Sequence, residues 1–108
     1  MNIQLGTLEE MILIILLMKD ETYGVEIAKE YKKQLSQSIS LPAIHVVLKR
    51  LEKKGFVDSR MGEPTPERGG KGKRLYKATN KGYEIAQEMQ QRRTEIWKTI
   101  PTFNFSIA

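Results

Sequence analysis

One segment of this 108-residue sequence holds its entire surplus of positive charge. The stretch ERGGKGKRLYKATNKG, residues 67–82, carries six basic side chains and one acidic side chain, so its net charge of +5 equals the formal net charge of the whole chain. Glycines at positions 69, 70 and 72 add no side chain that would hold the backbone away from a partner. This pattern favours electrostatic binding of phosphate groups. The basic residues that we expect to make those contacts are Arg68, Lys71, Lys73 and Arg74.

Residue types that support catalysis or metal binding are scarce. The chain has no cysteine and one histidine, which excludes a thiolate nucleophile, a cysteine zinc site and a multi-histidine metal site. A P-loop is also excluded, because a hydroxyl residue must follow its Gly-Lys pair, whereas Gly72 follows Lys71 and Arg74 follows Lys73. We therefore expect a protein that is not an enzyme and needs no cofactor or metal.

The composition favours a polyanionic partner and a cytoplasmic location. The sequence pI near 9.5 suits binding to nucleic acid or to an acidic membrane surface. The longest apolar run, Met11 to Met18, is shorter than the roughly 18 to 20 residues that cross a bilayer, and Glu9 and Glu10 precede it where a signal peptide would be basic. We expect no membrane association.

Four helices must position these residues. Apolar side chains at helical spacing, each series behind a capping residue, predict helices over residues 8–19, 23–35, 41–54 and 79–101. The predicted N-caps are Thr7, Thr22, Ser40 and Thr79. Gly55 is the expected left-handed end of the third helix, and Pro101 stops the fourth.

A β-hairpin is predicted between the third and fourth helices. Residues 56–62 and 73–78 alternate as strands do, and the prolines and glycines between them are typical of a long, open tip. The basic segment then forms the tip and the returning strand of this hairpin.

The third helix has one apolar face and one polar face. Ile44, Val47, Leu48 and Leu51 follow a helical stripe and should face the core. The residues on the outward side are the ones that we expect to contact DNA: Ser40, Pro42, His45, Val46, Lys49 and Arg50.

This order of elements predicts a mainly α fold, a winged helix-turn-helix DNA-binding domain with a C-terminal dimerisation helix. The DNA-binding domain would span residues 1–78, and the hairpin of residues 56–78 would be its wing. The dimerisation helix would span residues 79–101, and residues 102–108 would form a tail. A helix fits the major groove, and a basic, glycine-rich hairpin can approach the neighbouring phosphates.

The apolar surface exceeds what one small domain should cover, which predicts a homodimer. The first helix is apolar on every side, and the fourth carries an apolar stripe. The expected interface residues are Leu8, Ile12, Ile15, Ile85, Met89, Ile96, Trp97 and Ile100. Trp97 is also a candidate platform for a small aromatic effector, although plain packing between subunits is the more ordinary role of such a residue.

Four stretches of the chain resemble, in order and spacing, the signatures of PadR-type transcriptional regulators. They are LGTLEEMILIILL, YGVEI, LKRLEKKGFV and GKRLYKATNKG, and the likeness covers residues 5 to about 90. The short fourth helix is similar to that of the smaller subfamily. The resemblance implies a winged-helix homodimer that represses transcription at a palindromic, double-stranded operator and often responds to a small molecule.

Two features depart from that family pattern, and one other function remains open. His45 stands where many members have tyrosine, and Ser40, Leu41 and Pro42 stand where a Gly-Ser type of start is common. The operator sequence therefore does not follow from the resemblance. The alternative is a winged-helix interaction module that binds protein or nonspecific nucleic acid, which would prefer no duplex sequence.

Overall fold

Four helices and one antiparallel hairpin make up the part of the chain that the structure describes. The computed structural model describes residues 5–64 and 72–102. The elements in chain order are α1 (Thr7–Met18), α2 (Gly24–Leu35), α3 (Leu41–Lys53), β1 (Val57–Met61), β2 (Arg74–Ala78) and α4 (Asn80–Lys98). This order confirms the predicted fold class, mainly helical with a two-stranded wing.

The core lies where α1, α2 and α3 meet. Ile12 and Leu16 of α1, Ile27 of α2 and Leu48 of α3 are all fully buried, together with Phe56 at the start of the hairpin. Each such side chain contributes about 1.5 to 3 kcal/mol through the removal of apolar surface from water. This core holds α3 with its opposite face directed to solvent.

Two of the predicted helix starts differ from the structure. The N-cap of α1 is Gly6, whose amide donates to Oε1 of Glu9 at 2.9 Å, so the helix begins earlier than a cap at Thr7 would place it. The N-cap of α2 is Tyr23. Thr22 is buried instead, and its hydroxyl donates to Glu26 at 2.8 Å. The two differences have different causes: a local hydrogen bond between Gly6 and Glu9 sets the start of α1, whereas the contact of Thr22 with Tyr76 takes Thr22 away from the cap of α2.

The predicted caps at Ser40 and Thr79 and the left-handed Gly55 are confirmed, whereas α4 ends at Lys98, before the predicted stop at Pro101. The Ser40 hydroxyl accepts the Ala43 amide at 3.3 Å, and the Thr79 hydroxyl accepts the Gly82 amide at 3.0 Å. Gly55 has a φ of 84°, a left-handed conformation that allows the chain to leave α3 and enter β1.

The wing is attached to the helices by its backbone. Strand β1 pairs with β2 in the register Val57 to Ala78 and Ser59 to Tyr76. Thr22, between α1 and α2, forms a further bridge to Tyr76: the two residues exchange amide-to-carbonyl hydrogen bonds of 3.0 and 2.7 Å. The root of the hairpin therefore has a fixed position relative to α3.

Helix α4 has two parts with different surroundings. Ile85 and Ala86 are buried against the core and Met89 packs partly against it, whereas every residue from position 90 to 102 is exposed. The second part thus extends beyond the core of its own protomer. No helix in the described part of the chain combines the length and apolarity needed to cross a membrane.

Two ion pairs connect α1 to the rest of the chain. Glu10 is 3% exposed, and its Oε1 accepts from Nη2 of Arg93 at 2.5 Å. Its other oxygen, Oε2, is buried without a hydrogen-bond partner among the described residues. Glu9 pairs with Lys54 at 2.9 Å. Burial raises the pKa of Glu9, but the hydrogen bond from the Gly6 amide and the nearby Lys54 ammonium lower it by more, so the pKa lies below its ordinary value. Arg93 and Lys54 thereby fix α4 and the end of α3 on α1.

Replacing Arg93 by alanine should lower the free energy of unfolding by about 1 to 3 kcal/mol, because it leaves the buried Glu10 carboxylate without a donor. This loss is smaller than the roughly 3 to 5 kcal/mol typical of broken buried pairs, since the Arg93 side chain is half exposed. Denaturant unfolding measures the effect.

A matched control is available one residue away. Arg92 pairs with Glu88 at 3.3 Å on the exposed surface of α4, so Arg92→Ala should change stability by less than about 0.5 kcal/mol. Equal losses in the two variants would contradict a structural role for the Glu10–Arg93 pair.

Candidate nucleic-acid interface

The exposed face of α3 displays all six of the residues that the sequence predicts for DNA contact. They are Ser40, Pro42, His45, Val46, Lys49 and Arg50, and each is exposed. Helical geometry places Pro42, His45, Val46 and Lys49 on one strip, since they are separated by three, four and seven residues. Arg50 lies to the side of this strip and close enough to Glu9 that its charge helps to lower the pKa of Glu9. The strip is the part of α3 best placed to meet a partner.

Lys53 extends this strip by one more turn. It is exposed and follows Lys49 at a spacing of four residues. Lys53 is not among the contact residues predicted from the sequence. Its spacing from Lys49 was the signal that could have found it.

A cleft of about 480 Å³ separates α3 from the wing. Its lining comes from both elements: His45, Val46, Lys49 and Glu52 of α3, and Arg74 and Tyr76 of β2. Predicted contact residues that lie about 25 positions apart in the sequence thus share one concave surface. The arrangement places basic groups from two elements where one polyanion could meet both.

Arg74 is held on this surface by a chain of hydrogen bonds. Its Nη1 donates to the hydroxyl of Ser59 at 2.9 Å, and that hydroxyl donates to Oε2 of Glu52 at 2.7 Å. The three residues link β2, β1 and α3. Arg74 therefore has a defined position, and the nearby carboxylate offsets part of its charge. Neither Ser59 nor Glu52 was identified from the sequence.

Lys73 is positioned by an aromatic ring. Its ammonium lies 3.7 Å from the centroid of the Tyr23 ring, at the start of α2, and this distance is short enough for a cation–π interaction. The contact joins the returning part of the wing to the helix-turn-helix. The two other predicted wing contacts, Arg68 and Lys71, lie outside the described residues.

Two further cations of the hairpin are paired with acids. Arg60 forms hydrogen bonds of 2.6 and 2.7 Å to both oxygens of Glu21, which hold the pKa of Glu21 below its ordinary value. Lys77 lies 3.6 Å from Asp20. These pairs connect the wing to the loop between α1 and α2. Their positive charge is therefore partly compensated, unlike that of Lys49 and Lys53, which form no salt bridge within the described residues.

The imidazole of His45 packs against the first turn of α2. A Cβ atom at Gly24 would lie 3.2 Å from its Nε2, which is tighter than an ordinary van der Waals contact. Glycine at position 24 therefore gives the His45 ring its space beside the α2 backbone. The sequence analysis did not predict this role for Gly24, since it depends on the approach of two helices.

The predicted subunit-interface residues fall into three groups. Ile12, Ile15 and Ile85 are at most 3% exposed, so they belong to the core of their own protomer; assigning them to an interface between subunits was wrong. The reason is that α2, α3, β2 and α4 of the same chain pack around α1. Leu8 and Met89 are half-buried at the edge of the core.

The third group is exposed and lies at the end of α4. Ile96, Trp97 and Ile100 form an apolar surface beyond the core, and Trp97 is 71% exposed. Ile100 follows Ile96 by four residues and Trp97 by three, and its amide donates to the Trp97 carbonyl at 3.1 Å, so Ile100 lies beside both at the helix end. Exposed apolar groups of this size on a small protomer are typical of an interaction surface.

Comparison with known proteins agrees with this architecture. The model of the transcriptional regulator PadR-like family matches residues 12–88. No curated protein sequence matches the chain.

Solved structures of regulators superimpose on most of the chain. A PadR family transcription regulator from Clostridium difficile R20291 is 28% identical with a TM-score of 0.70, and the alignment covers 86% of this chain and 93% of that one. A PadR-like regulator from Bacillus cereus ATCC 14579 is 26% identical with a TM-score of 0.70 and 87% coverage of both chains. A transcriptional regulator from Clostridium thermocellum shares the fold with a TM-score of 0.67. It is 24% identical, and the alignment covers 89% of this chain and 92% of that one. With its four helices, its wing and a family match over residues 12–88, the chain belongs to the PadR-like family of DNA-binding transcriptional regulators.

Proposed function

We propose that this protein is a homodimeric repressor that binds a palindromic operator, with α3 in the major groove and the wing on the adjacent backbone. The observation that carries the proposal is the cleft in which His45, Val46 and Lys49 of α3 meet Arg74 of β2. An α-helix fits the major groove of B-DNA, and basic groups beside it can contact the flanking phosphates. Occupancy of the operator would exclude RNA polymerase from an overlapping promoter.

Residues in the N-terminal half of α3 contact the edges of the DNA bases. Pro42, His45 and Val46 point away from the core near the start of the helix, the part that enters the groove in this type of domain. The His45 imidazole offers a hydrogen-bond donor and an acceptor, and Val46 offers an apolar contact for a thymine methyl group. The contact of the His45 ring with the α2 backbone limits its freedom before DNA binds.

Phosphate binding falls to the lysines and arginines of the wing and of α3. Lys49 and Lys53 lie on the exposed strip of α3, and Lys73 and Arg74 lie at the start of the returning strand. We include Arg68 and Lys71 because they belong to the segment that carries the surplus charge. Such contacts position the protein on the duplex and supply affinity that depends on salt.

The homodimer forms through the exposed part of α4. Ile96, Trp97 and Ile100 would pack against α1 and α4 of a second copy, with Leu8 and Met89 at the margin. A twofold dimer sets two copies of α3 near one DNA turn apart, about 34 Å, and therefore requires an operator with matching symmetry. A small aromatic effector that stacks on Trp97 would act by binding one subunit spacing more tightly than another.

Removing the wing charges should weaken binding to every duplex. Replacement of Arg68, Lys71, Lys73 and Arg74 by alanine should flatten the slope of log K against log salt by roughly one unit for each lost phosphate contact, because fewer counterions are released. Fluorescence anisotropy over a salt series measures the slope. The control is Lys98→Ala on α4, which removes an exposed cation away from the cleft and should leave the slope unchanged. An unchanged slope in the wing variant would rule out this role.

His45 should contribute to sequence preference. After the preferred duplex has been selected from random DNA, His45→Ala should cost about 1 to 3 kcal/mol on that duplex and less on random sequence. Gly24→Ala, which crowds the imidazole, should shift binding in the same direction by a smaller amount. Equal losses on both kinds of DNA would make His45 a backbone contact, and the lack of any preferred duplex would favour a nonspecific interaction module.

Ile96→Asp should dissociate the dimer, because it places a carboxylate in the apolar contact at the end of α4. Sedimentation at micromolar concentration should give a dimer for the unmodified protein and a monomer, or a weaker dimer, for the variant. Gln91→Asp is the control, since helical geometry places position 91 well away from position 96 around α4. A monomeric unmodified protein would contradict the proposal.

The unmodified protein also allows a test of whether a small aromatic effector binds at Trp97. Trp97 is the only tryptophan, so its fluorescence reports binding at the end of α4. An aromatic compound that acts as effector should quench this fluorescence and change DNA affinity over the same concentration range. Quenching without a change in DNA affinity would exclude an effector role for that compound.

A further inference from the structure

A groove of about 500 Å³ lies on the outer side of α2, distinct from the cleft between α3 and the wing. It forms because Ser36, with a φ of 55°, turns the chain sharply at the end of α2, so that residues 38–41 return beside the helix. The N-cap of α3 follows at Ser40. One wall of the groove is therefore α2, and the other is the connection into α3.

The floor of the groove is apolar. Val25 and Ala28 line it from α2, and Ile39 and Leu41 line it from the connection. Val25 and Leu41 are each 40% exposed, so the protein leaves hydrocarbon surface uncovered at this place. The volume lies within the range of about 300 to 1,000 Å³ that is usual for small-molecule sites.

The rim of the groove is positively charged. Lys29, Lys32 and Lys33 line it, and all three are exposed. Val25, Ala28, Lys29 and Lys32 are separated by three, four and seven residues, which places apolar floor and basic rim on the same face of α2.

The acids of α2 do not neutralise this rim. Glu26 accepts a hydrogen bond from Thr22 at 2.8 Å. Glu30 accepts from Gln34 at 2.6 Å and lies 3.6 Å from Lys19. The Gln34 hydrogen bond and then the charge of Lys33 hold the pKa of Glu30 below its ordinary value, so Lys33 is partly compensated. Lys29 and Lys32 form no salt bridge within the described residues and carry the argument.

We propose that this groove binds a small organic anion with an apolar body, such as a medium-chain carboxylate. The hydrocarbon would cover Val25, Ala28, Ile39 and Leu41, while the carboxylate would meet the ammonium groups of the rim. Both parts of the ligand are required, because the four apolar residues present hydrocarbon and an exposed ion pair alone contributes little. Ser38, which also lines the groove, adds one neutral hydroxyl group. The groove is separate from the surface at Trp97, and through Leu41, between Ser40 and Pro42, it adjoins the start of α3.

Titration of the full-length, ¹⁵N-labelled protein tests the proposal with three probes. Octanoate has both the apolar body and the negative charge, acetate has the charge alone, and octylammonium has the same body with the opposite charge. Octanoate should give saturable amide shifts centred on Val25, Ala28, Ile39 and Leu41. Acetate should give much weaker shifts there, and octylammonium should give none.

Two variants with equal changes of charge complete the test. Lys29→Gln combined with Lys32→Gln should raise the dissociation constant for octanoate about tenfold, which corresponds to the loss of two exposed charge contacts. Arg92→Gln combined with Lys98→Gln, on α4, should leave it unchanged. All four side chains are exposed, and unchanged amide shifts elsewhere would verify that the fold is retained.

Several results would overturn the proposal. Equal dissociation constants for the two double variants would show that the rim lysines do not take part. Equal binding of octylammonium would show that charge does not matter, and shifts centred on Trp97 would place the ligand elsewhere. Shifts of the groove residues with duplex DNA but not with octanoate would assign the lysines to phosphate contact.

Discussion

Two backbone hydrogen bonds between Thr22 and Tyr76 determine where the wing stands relative to the helices. Both residues are almost fully buried, so each amide and carbonyl that lost its partner would remain without one. Because Tyr76 also pairs with Ser59, this bridge places the whole hairpin beside α3. Together with the hydrogen bonds through Ser59 and the ion pairs of Arg60 and Lys77, the bridge holds the two walls of the cleft that contains His45 and Arg74.

The charges around the cleft form two sets with different roles. Near the root of the wing, Arg60 and Lys77 meet acids of the loop between α1 and α2, and these pairs support the attachment of the hairpin. On the open side, Lys49 and Lys53 have no acidic partner within the described residues. A uniform excess of positive charge would attract any polyanion. Around the wing, the structural pairs leave the uncompensated cations on the face that includes α3. Lys29 and Lys32 of α2 are also uncompensated, at the separate groove.

Helix α4 has one part that packs on the core and one part that extends into solvent. Its first turns complete the core, and the Glu10–Arg93 pair marks the place where it leaves the protomer. A buried carboxylate that is paired with a half-exposed arginine is sensitive to the direction of the helix, because a small rotation of α4 would move the guanidinium away. The orientation of the exposed end with Trp97 therefore depends on α1 as well as on α4 itself.

The sequence by itself determined the elements and the faces that depend on neighbouring residues. Helical periodicity, the caps at Ser40 and Thr79 and the exposed strip of α3 follow from local geometry, which a single sequence contains. The tertiary structure alone decided which residues lie between elements. It used Thr22 for a bridge to the wing rather than for a cap, and it covered Ile12 and Ile15 within the protomer. These outcomes depend on contacts between residues far apart in the chain, and apolar periodicity reports that a side chain is buried without indicating which surface buries it.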